Sequence, residues 1–358
     1  MKILHITNGL SEGGVESFLL TLLPRLREKG HKVDLLVLNC GSVAMKEAFE
    51  KNGIHVYVGK YSNIYNPLNI LVLKKYLSHY DIVHTHLWPA QLYVSVGKSL
   101  WATSAKFITT EHNNFNKRRK IKLYRFVEQW MYGRFDRIVG VCETSCQNLL
   151  KWIKHSGVTA VHNGIQCELF SDAEPCGKKE LGLPSSAFMV TMTARFFPQK
   201  DQQTLIRAMS QLPPDIHLVF VGSGETLLSC QKMSEELGIS GRVHFLGRRT
   251  DVNRILKTSD LCVLSTHYEE LPISILEYMA AGKAVVATDV DGVREMLSTD
   301  CLAVPADAED MALKIKRFFE DKELTVRVAE RNSLYSLQYN VASMVNQYDH
   351  IYKKVYNG

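Results

Sequence analysis

Two glutamates eight residues apart, Glu269 and Glu277, flank Pro272 in the segment THYEELPISILEYMAAG. Proline is favoured in the first turn of a helix because its φ is already fixed there. A helix that begins at Pro272 leaves the N–H groups of Ile273 and Ser274 without intrahelical acceptors, and its dipole favours an anion. The pattern predicts a diphosphate at this helix start, with a carboxylate near each end of the ligand to accept hydrogen bonds from hydroxyl groups, as a nucleotide sugar would require.

Two cations could neutralise such a diphosphate. The segment TARFFPQKD places Arg195 at a strand end and Lys200 five residues later, near a helix start. Both can then point to the carboxyl edge of a parallel sheet, where ligands bind. Glycine turns at two further strand ends, VGSGE with Gly222 and FLGRR with Gly247, would let backbone approach a ligand closely.

A further glycine pair, Gly13 and Gly14, lies between the first strand and its helix. It could approach an anion at the helix N-terminus, or it could be only a tight turn. The segment GLSEGG does not fit the dinucleotide fingerprint, and Asn39 stands where an acidic ribose-binding residue would end the second strand. A nicotinamide dehydrogenase is therefore disfavoured.

Histidines follow two other strands of the first half, with His84 and His86 in VHTHLW and His112 in TTEHNN. A single histidine is more often structural, but two strand ends that deliver imidazole to one rim indicate a function. We expect His86 on the acceptor side. No third ligand stands at metal-binding spacing, so we predict no metal.

Directly after His112 comes the basic and aromatic segment NNFNKRRKIKLYRFVEQWMYGRF. Its cations include Arg118, Arg119 and Lys120, and the composition suits contact with anionic lipid. The alternative is an exposed basic loop that leads into an ordinary helix.

Short β-rich runs alternate with helical patterns along nearly the whole chain, which is typical of βαβ units and parallel sheets. The length suits two domains. We predict an N-terminal domain over 1–168, a linker over 169–186, a C-terminal domain over 187–335, and a final helix over 336–358 that packs back on the N-terminal domain. Two doubly wound sheets would then face each other across a cleft.

Composition supports a globular protein without a membrane span. Residues 1–165 carry 22 Lys and Arg against 11 Asp and Glu, whereas residues 166–358 carry 21 against 26. The basic first half favours an anionic partner, such as a membrane surface or a phosphorylated acceptor. Eight scattered cysteines and the absence of a signal-peptide pattern predict reduced thiols and a cytoplasmic location. The basic first half is compatible with contact at the inner face of the cell membrane.

The chain resembles the family 4 retaining glycosyltransferases of the GT-B fold. The motifs that carry the resemblance span nearly the whole chain: GGVE, DIVHTH, TEHN, VHNGI, ARFFPQKD, VFVGSGE, VHFLG, DLCVLST and EELPISILEYMAAGKAVVATDVDGVRE. The resemblance implies that Glu269 binds the donor sugar, Glu277 the ribose, and Arg195 and Lys200 the diphosphate, while His112 lies against the reacting sugar. The implied donor-binding set is Gly13, Gly14, Arg195, Lys200, Gly222, Gly247, Glu269, Leu271, Ile273, Ser274 and Glu277.

Three positions depart from the family pattern: Glu270 and Ala194 stand where glycine is usual, and Ala284 stands where proline is usual. Glu270 matters most, because a carboxylate close to a diphosphate is unfavourable unless it points away. We expect it to face solvent or the sugar.

These observations together predict a glycosyltransferase that uses a nucleotide diphosphate sugar, a saccharide or lipid-linked hydroxyl acceptor, and neither metal, cofactor nor nucleic acid. Cell-surface polysaccharide, lipopolysaccharide or glycolipid assembly would be its setting. The alternatives are a nucleotide-sugar epimerase of the same fold, which needs no acceptor, and a non-catalytic nucleotide-sugar-binding protein.

Overall fold

A computed structural model describes residues 1–11, 13–112, 117–269 and 271–358, and of Lys117 and Lys120 it describes the backbone alone. This part of the chain forms two compact units. Unit 1 comprises Met1–Gly164 and Val341–Gly358, and unit 2 comprises Ile165–Asn340. The chain therefore leaves unit 1 once and returns to it for its last segment.

Unit 1 is built on a sheet of seven parallel strands in the order β3-β2-β1-β4-β5-β6-β7. The strands are β1 (Lys2–Leu10), β2 (Lys32–Gly41), β3 (His55–Val58), β4 (Ile82–His86), β5 (Lys106–Glu111), β6 (Arg137–Gly140) and β7 (Val158–Ala160). The helices are α1 (Gly14–Glu28), α2 (Val43–Lys51), α3 (Asn69–Leu77), α4 (Ala90–Leu100), α5 (Tyr124–Tyr132) and α6 (Glu143–Trp152), and a 3₁₀ helix spans Lys117–Lys120.

Side chains of the central strands alternate between two cores, one on each face of this sheet. Ile3 and Leu35 belong to the core that contains Leu19 of α1, whereas Leu4 and Leu36 belong to the core that contains Leu73 of α3. Because the side-chain period of a strand is two, strands covered on both faces must be apolar at nearly every position. This explains the near-continuous apolar runs of β1 and β2.

Unit 2 repeats the arrangement with six parallel strands in the order β10-β9-β8-β11-β12-β13. The strands are β8 (Phe188–Thr193), β9 (Ile216–Val221), β10 (Val243–Phe245), β11 (Leu261–Leu264), β12 (Val285–Thr288) and β13 (Leu302–Ala303). The helices are α7 (Cys167–Ser171), α8 (Gln202–Met209), α9 (Leu227–Glu236), α10 (Val252–Thr258), α11 (Ile273–Ala280), α12 (Asp291–Arg294), α13 (Ala308–Glu320) and α14 (Lys322–Ser336); 3₁₀ helices span Lys178–Leu181, Pro198–Lys200, Ser240–Arg242, Thr299–Cys301 and Leu337–Tyr339. The prediction of two doubly wound parallel sheets is confirmed.

The segment predicted as a linker, 169–186, is instead an integral part of unit 2. Cys176, Leu181 and Leu183 are buried in a small core with Met189 of β8 and Val219 of β9. The glycines and prolines of this segment mark turns between packed residues, so its composition resembled that of a linker although its apolar side chains are buried.

The last helix, α15 (Val341–Asn357), belongs to unit 1. Its side chains at helical spacing, Val341, Met344, Val345, Tyr348, Tyr352 and Val355, are buried in the core that also holds α1 and β1. A hydrogen bond of 2.8 Å between His31 Nε2 and Asp349 Oδ1 joins the start of β2 to this helix.

Two global features bear on the environment of the protein. No helix in the described ranges is long and apolar enough to cross a membrane. All eight cysteines are free thiols, and seven of them are buried.

Candidate active site

The strand order of unit 2 reverses between β8 and β11, so that the connections that follow these two strands diverge and leave a crevice at their carboxyl ends. The two connections are tied together by hydrogen bonds. Gln199 Nε2 donates to the Tyr268 carbonyl at 2.7 Å, the His267 N–H donates to the Gln199 carbonyl at 2.8 Å, and Ser265 Oγ donates to the Lys200 carbonyl at 3.2 Å. These bonds hold the two loops in a fixed relation to each other.

Lys200 and Glu269 form an ion pair across these two loops. Their side chains are only 20% and 9% exposed, so the pair is largely shielded from water. Asp201 follows with a left-handed backbone and caps α8 by accepting from the Thr204 N–H. Lys200 is therefore held between a short 3₁₀ helix and a capped helix, with its ammonium group directed to the loop after β11.

Arg195, at the same end of β8, is exposed. Its guanidinium lies 5.3 Å from the centre of the Phe197 ring, and within the described chain it forms no ion pair. The cation thus remains available to a ligand, while the backbone carbonyl of Arg195 is fixed by a 3.0 Å hydrogen bond from Gln202 Nε2.

Helix α11 begins directly after Pro272, as the sequence predicts. No side chain caps this end, and Ile273 and Ser274 are the first helical residues, so their N–H groups have no intrahelical acceptor. Leu271 is buried beneath the helix start. Tyr278 fixes the helix to β8 because its hydroxyl accepts from the Thr193 N–H at 2.7 Å.

Glu277 lies about one turn into α11 and is partly buried. Burial raises the pKa of its carboxyl from 4.5 to about 7. Among the residues that the structure describes, nothing donates a hydrogen bond to this carboxyl. A carboxylate that is shielded from water and lacks a partner is an energetic cost in the ligand-free protein, and hydroxyl groups of a ligand would offset it.

The glycine turns approach the protein's own backbone. Gly222 has a φ of +144°, and a Cβ at this position would lie 2.0 Å from the Ala194 carbonyl oxygen. Gly247 has a φ of +64°, and its carbonyl accepts from the Gly222 N–H at 2.8 Å. We predicted that a ligand approaches the backbone closely at Gly222. The structure shows that the loop that carries Arg195 already does so, and that this contact excludes a Cβ at Gly222.

In unit 1, Gly13 is the N-cap of α1 and Gly14 is its first residue. A Cβ on Gly14 would meet nothing within 4 Å, which leaves room for a ligand. The carboxylate of Glu16 also reaches this helix start and accepts from Ser11 Oγ at 2.9 Å. An anion bound at these N–H groups would therefore have a carboxylate as neighbour.

Near the switch point between β1 and β4, seven side chains form one continuous series of hydrogen bonds, which we call the histidine chain. Six of the seven are fully buried, and only His112 is partly exposed. The links are His112 Nε2 to His86 Nδ1 (3.0 Å), His86 Nε2 to His5 Nδ1 (3.0 Å), His5 Nε2 to Tyr352 Oη (3.3 Å), Tyr352 Oη to His84 Nδ1 (2.7 Å), His84 Nε2 to Thr110 Oγ1 (2.8 Å), and Thr110 Oγ1 to Tyr348 Oη (3.4 Å).

This arrangement changes the interpretation of His86. We expected His86 to contact an acceptor, but its side chain is 0% exposed and both of its ring nitrogens are engaged by other histidines. Its position as the last residue of a central strand places it beneath His112. Of the four histidines in this chain of hydrogen bonds, only His112 can therefore present an imidazole to a ligand.

The histidine chain also contains the group of residues best suited to hold a metal. One nitrogen each from His5, His84 and His86 lies within 4.8 Å of the others. Every ring nitrogen of these three residues already has a hydrogen-bond partner, so a metal ion would have to replace several of those bonds. The prediction that no metal takes part stays a prediction.

The arginines that we predicted for membrane contact face the interior of unit 1. Arg118 and Arg119 pair with Glu128, whose side chain is 0% exposed, and Arg119 also lies 3.6 Å from Glu111. The guanidinium of Arg118 stacks over Trp88 at 4.3 Å. Two carboxylates buried nearby explain why these cations are drawn inward; the side chain of Lys120 lies outside the described residues.

Comparison with known proteins decides the family. Residues 177–334 match the family described as Glycosyl transferases group 1, and residues 12–169 match Glycosyltransferase Family 4. The chain belongs to these glycosyltransferases.

Relatives of this glycosyltransferase match most of its length. A phosphatidyl-myo-inositol mannosyltransferase of Mycolicibacterium smegmatis is 25% identical over 94% of this chain and 90% of its own. A UDP-Gal:alpha-D-GlcNAc-diphosphoundecaprenol alpha-1,3-galactosyltransferase of Escherichia coli is 25% identical over 78% of this chain and 76% of its own. The Anabaena protein HepE, solved in complex with UDP, is 21% identical, covers 99% of this chain and 100% of its own, and superposes with a TM-score of 0.89. The fold of this glycosyltransferase is GT-B.

Unit 2 of the glycosyltransferase brings together Arg195, Lys200, Glu269 and the start of α11, all of which the sequence predicted. Glu270, the residue that departs from the family pattern, lies outside the described residues. Sequence reasoning missed His5, Tyr348 and Tyr352. Only His5 left a signal, since its position on the strand next to VHTH is compatible with contact across the sheet.

Proposed function

We propose that this glycosyltransferase moves a sugar from a nucleotide diphosphate sugar to a hydroxyl group of its acceptor, with retention of configuration at the anomeric carbon. The observation that carries the proposal is the constellation at the switch point of unit 2. There, Arg195, Lys200 and a helix N-terminus offer positive charge to a diphosphate, while Glu269 and Glu277 offer acceptors to hydroxyl groups. The UDP complex of HepE supports UDP as the first nucleotide to test.

In the proposed reaction the acceptor oxygen attacks the anomeric carbon while the bond from that carbon to the β-phosphate oxygen breaks. Arg195 and Lys200 stabilise the negative charge that develops on the departing diphosphate. The departing phosphate takes the acceptor proton, so the step needs no protein nucleophile. His112 contacts the reacting sugar. The protein's cations take the place of a metal ion, and turnover should persist in EDTA.

The decisive experiment measures nucleotide release from UDP-, GDP-, ADP- and dTDP-sugars with and without acceptor. Lys200→Met, which keeps the aliphatic chain and removes the charge, should lower kcat by on the order of 10²-fold or more if the lysine stabilises the leaving group. Near-normal turnover in this variant would refute the assignment. Conversion of the donor into an epimeric nucleotide sugar in the absence of acceptor, detected by product analysis, would instead favour the epimerase alternative.

A matched control exists in the same unit. Lys178 forms an ion pair with Asp260 at 2.6 Å, at the residues that precede β8 and β11 and therefore at the amino ends of those strands. Lys178→Met removes a comparable lysine–carboxylate pair without touching the proposed site, so its kcat should stay close to that of the wild type.

We further propose a lipid-linked acceptor and work at the cytoplasmic face of a membrane. The name of the M. smegmatis relative contains phosphatidyl-myo-inositol, and the name of the E. coli relative contains a diphosphoundecaprenol-linked sugar. Around the start of α5 the apolar side chains of Ile121, Leu123 and Phe126 are 55%, 71% and 75% exposed, next to Lys122 and Arg125. Exposed apolar side chains interleaved with cations suit an anionic bilayer surface.

The double variant Leu123→Ser/Phe126→Ser should therefore bind less to vesicles that contain phosphatidylglycerol, as measured by co-sedimentation at low and moderate salt. Leu313→Ser serves as control, because Leu313 is 65% exposed on α13 in the half of the chain with net negative charge. If the double variant and the wild type bind vesicles equally, this surface is not the membrane contact.

A further inference from the structure

The direction of the hydrogen bonds in the histidine chain can be derived from its members. Burial lowers the pKa of all four histidines, so each imidazole is neutral at physiological pH and carries one N–H donor and one acceptor nitrogen. A neutral ring that accepts from one neighbour must donate to the other. The hydroxyl groups of Tyr352 and Thr110 can each donate only once, and if either accepted from both of its neighbours, its own hydrogen would lack an acceptor within the chain. When these hydrogens are satisfied, every link points the same way, either outward to His112 or inward to Tyr348.

The inner end selects between these two directions. The hydroxyl of Tyr348 is fully buried, and in the described chain its one hydrogen-bond partner is Thr110 Oγ1. If the chain ran inward, Tyr348 would accept from Thr110 and its own hydrogen would be buried without an acceptor. If the chain runs outward, Tyr348 donates to Thr110, Thr110 donates to His84 Nε2, and each donor is satisfied. A buried donor without an acceptor is the costlier arrangement, so the chain runs outward.

The outward direction determines the state of the exposed end. Tyr352 then donates to His5 Nε2, His5 donates to His86, and His86 Nδ1–H donates to His112 Nε2. Because His112 Nε2 accepts, the single proton of this ring must sit on Nδ1, the nitrogen that has no partner among the described residues.

We infer that the histidine chain fixes His112 as the Nδ1–H tautomer, so that His112 presents a hydrogen-bond donor to a substrate oxygen and Tyr352 of α15 acts as a positioning residue. The inference deepens the proposed function, on which the contact between His112 and the substrate rests. It makes His112 unsuitable as a general base, because the nitrogen that faces the ligand already bears the proton.

The tautomer can be measured directly. Long-range ¹H–¹⁵N spectra of the full-length protein labelled with ¹⁵N-histidine distinguish protonated from unprotonated ring nitrogens, and the His112→Gln variant assigns the signals of His112. We expect a neutral ring protonated at Nδ1 near pH 7.5. A ring protonated at Nε2, or a charged imidazolium, would overturn the inference.

Two variants of α15, each of which removes one buried hydroxyl group, test the role of Tyr352. Tyr352→Phe deletes the donor to His5, so His112 should populate both tautomers. Tyr348→Phe leaves Thr110 free to donate to His84, so His112 should keep the Nδ1–H tautomer. A pure Nδ1–H tautomer in Tyr352→Phe, or mixed tautomers in both variants, would remove Tyr352 from its positioning role.

Kinetics separate this inference from the proposed function. In Tyr352→Phe, kcat should fall in proportion to the lost tautomer. The affinity for UDP should not change, because none of the residues proposed to bind the diphosphate is a member of the histidine chain. A wild-type protein that shows the Nδ1–H tautomer but transfers no sugar would contradict the proposed function alone. A protein that transfers sugar with His112 protonated at Nε2 would contradict the inference alone.

Discussion

Lys200 and Glu269 neutralise each other in the ligand-free protein. Removal of one partner from a largely buried ion pair costs about 3–5 kcal/mol, because the other charge is left without compensation. A free diphosphate that attracts Lys200 would leave the largely buried carboxylate of Glu269 without a compensating charge. A nucleotide sugar supplies phosphate to the lysine and hydroxyl groups to the glutamate, so the ion pair itself favours the intact donor over its fragments.

The unpartnered carboxyl of Glu277 predicts a pH dependence for UDP binding. Burial raises its pKa to about 7, so below pH 7 the carboxyl is protonated and accepts hydrogen bonds from hydroxyl groups less well. Affinity for UDP should weaken as the pH falls from 8 to 6, by at most about tenfold per unit below the pKa. Isothermal titration calorimetry at a series of pH values measures this slope.

Glu277→Gln is the control for this experiment, since glutamine cannot titrate. The terminal phosphate of UDP titrates near pH 6, but it contributes equally to both proteins. Parallel pH slopes in the variant and the wild type would show that Glu277 is not the titrating group.

At the scale of elements, the position of Arg195 depends on a close backbone crossing. The loop after β8 and the loop after β9 approach so closely at Gly222 that a Cβ would meet the Ala194 carbonyl. Gly222→Ala should destabilise unit 2 by about 1–3 kcal/mol, through backbone strain at positive φ and displacement of that carbonyl. The shift in the denaturant midpoint measures the effect.

Gly241→Ala provides the comparison in the same unit. A Cβ on Gly241 would meet nothing within 4 Å, and its φ is not positive. The midpoint of this variant should stay near that of the wild type; an equal shift in both variants would mean that the crossing at Gly222 imposes no special strain.

The alternation of short β-rich runs with helical patterns predicted the two parallel sheets, because apolar runs bounded by turn residues are strong local signals. The strand β3 (His55–Val58) gave no such signal, because it lies at the edge of its sheet and only Val56 among its four residues is buried. Arg195, Lys200, Glu269 and Glu277 were found from residue type and position after a strand. The pairing of Lys200 with Glu269, and of His84 with Tyr352, was not predictable, because these partners are 69 and 268 residues apart and no local pattern records such contacts.

The whole molecule is two units joined by two chain crossings that lie side by side. Ile165 and Asn340 form a parallel bridge, and the Ile165 N–H donates to the Tyr339 carbonyl at 2.8 Å. Next to them, Gly164 packs so closely on Val341 that a Cβ would lie 2.7 Å from the Val341 Cα. The chain thus returns to unit 1 at the point where it left.

A chain that ends at Asn340 tests how far unit 1 depends on α15. Each large apolar side chain that is fully buried contributes roughly 1.5–3 kcal/mol, so loss of this helix removes much of the stability that a domain typically has. Hydrogen exchange should accelerate in β1 and β4 while β8 and β9 keep their protection. A chain shortened only by Asn357 and Gly358 should exchange like the full-length protein, and unchanged protection of β1 in the longer deletion would show that α15 is dispensable.

The return of α15 to unit 1 also sets an order of events during synthesis. The ribosome completes β1 and β4 early, yet the tyrosines that pack against His5 and His84 emerge only after all of unit 2 has been translated. Unit 2 is a continuous stretch of chain and can fold as it leaves the ribosome. Of the two units, the one whose translation starts first is therefore completed last, and its half-built core must remain soluble on the nascent chain until α15 has emerged.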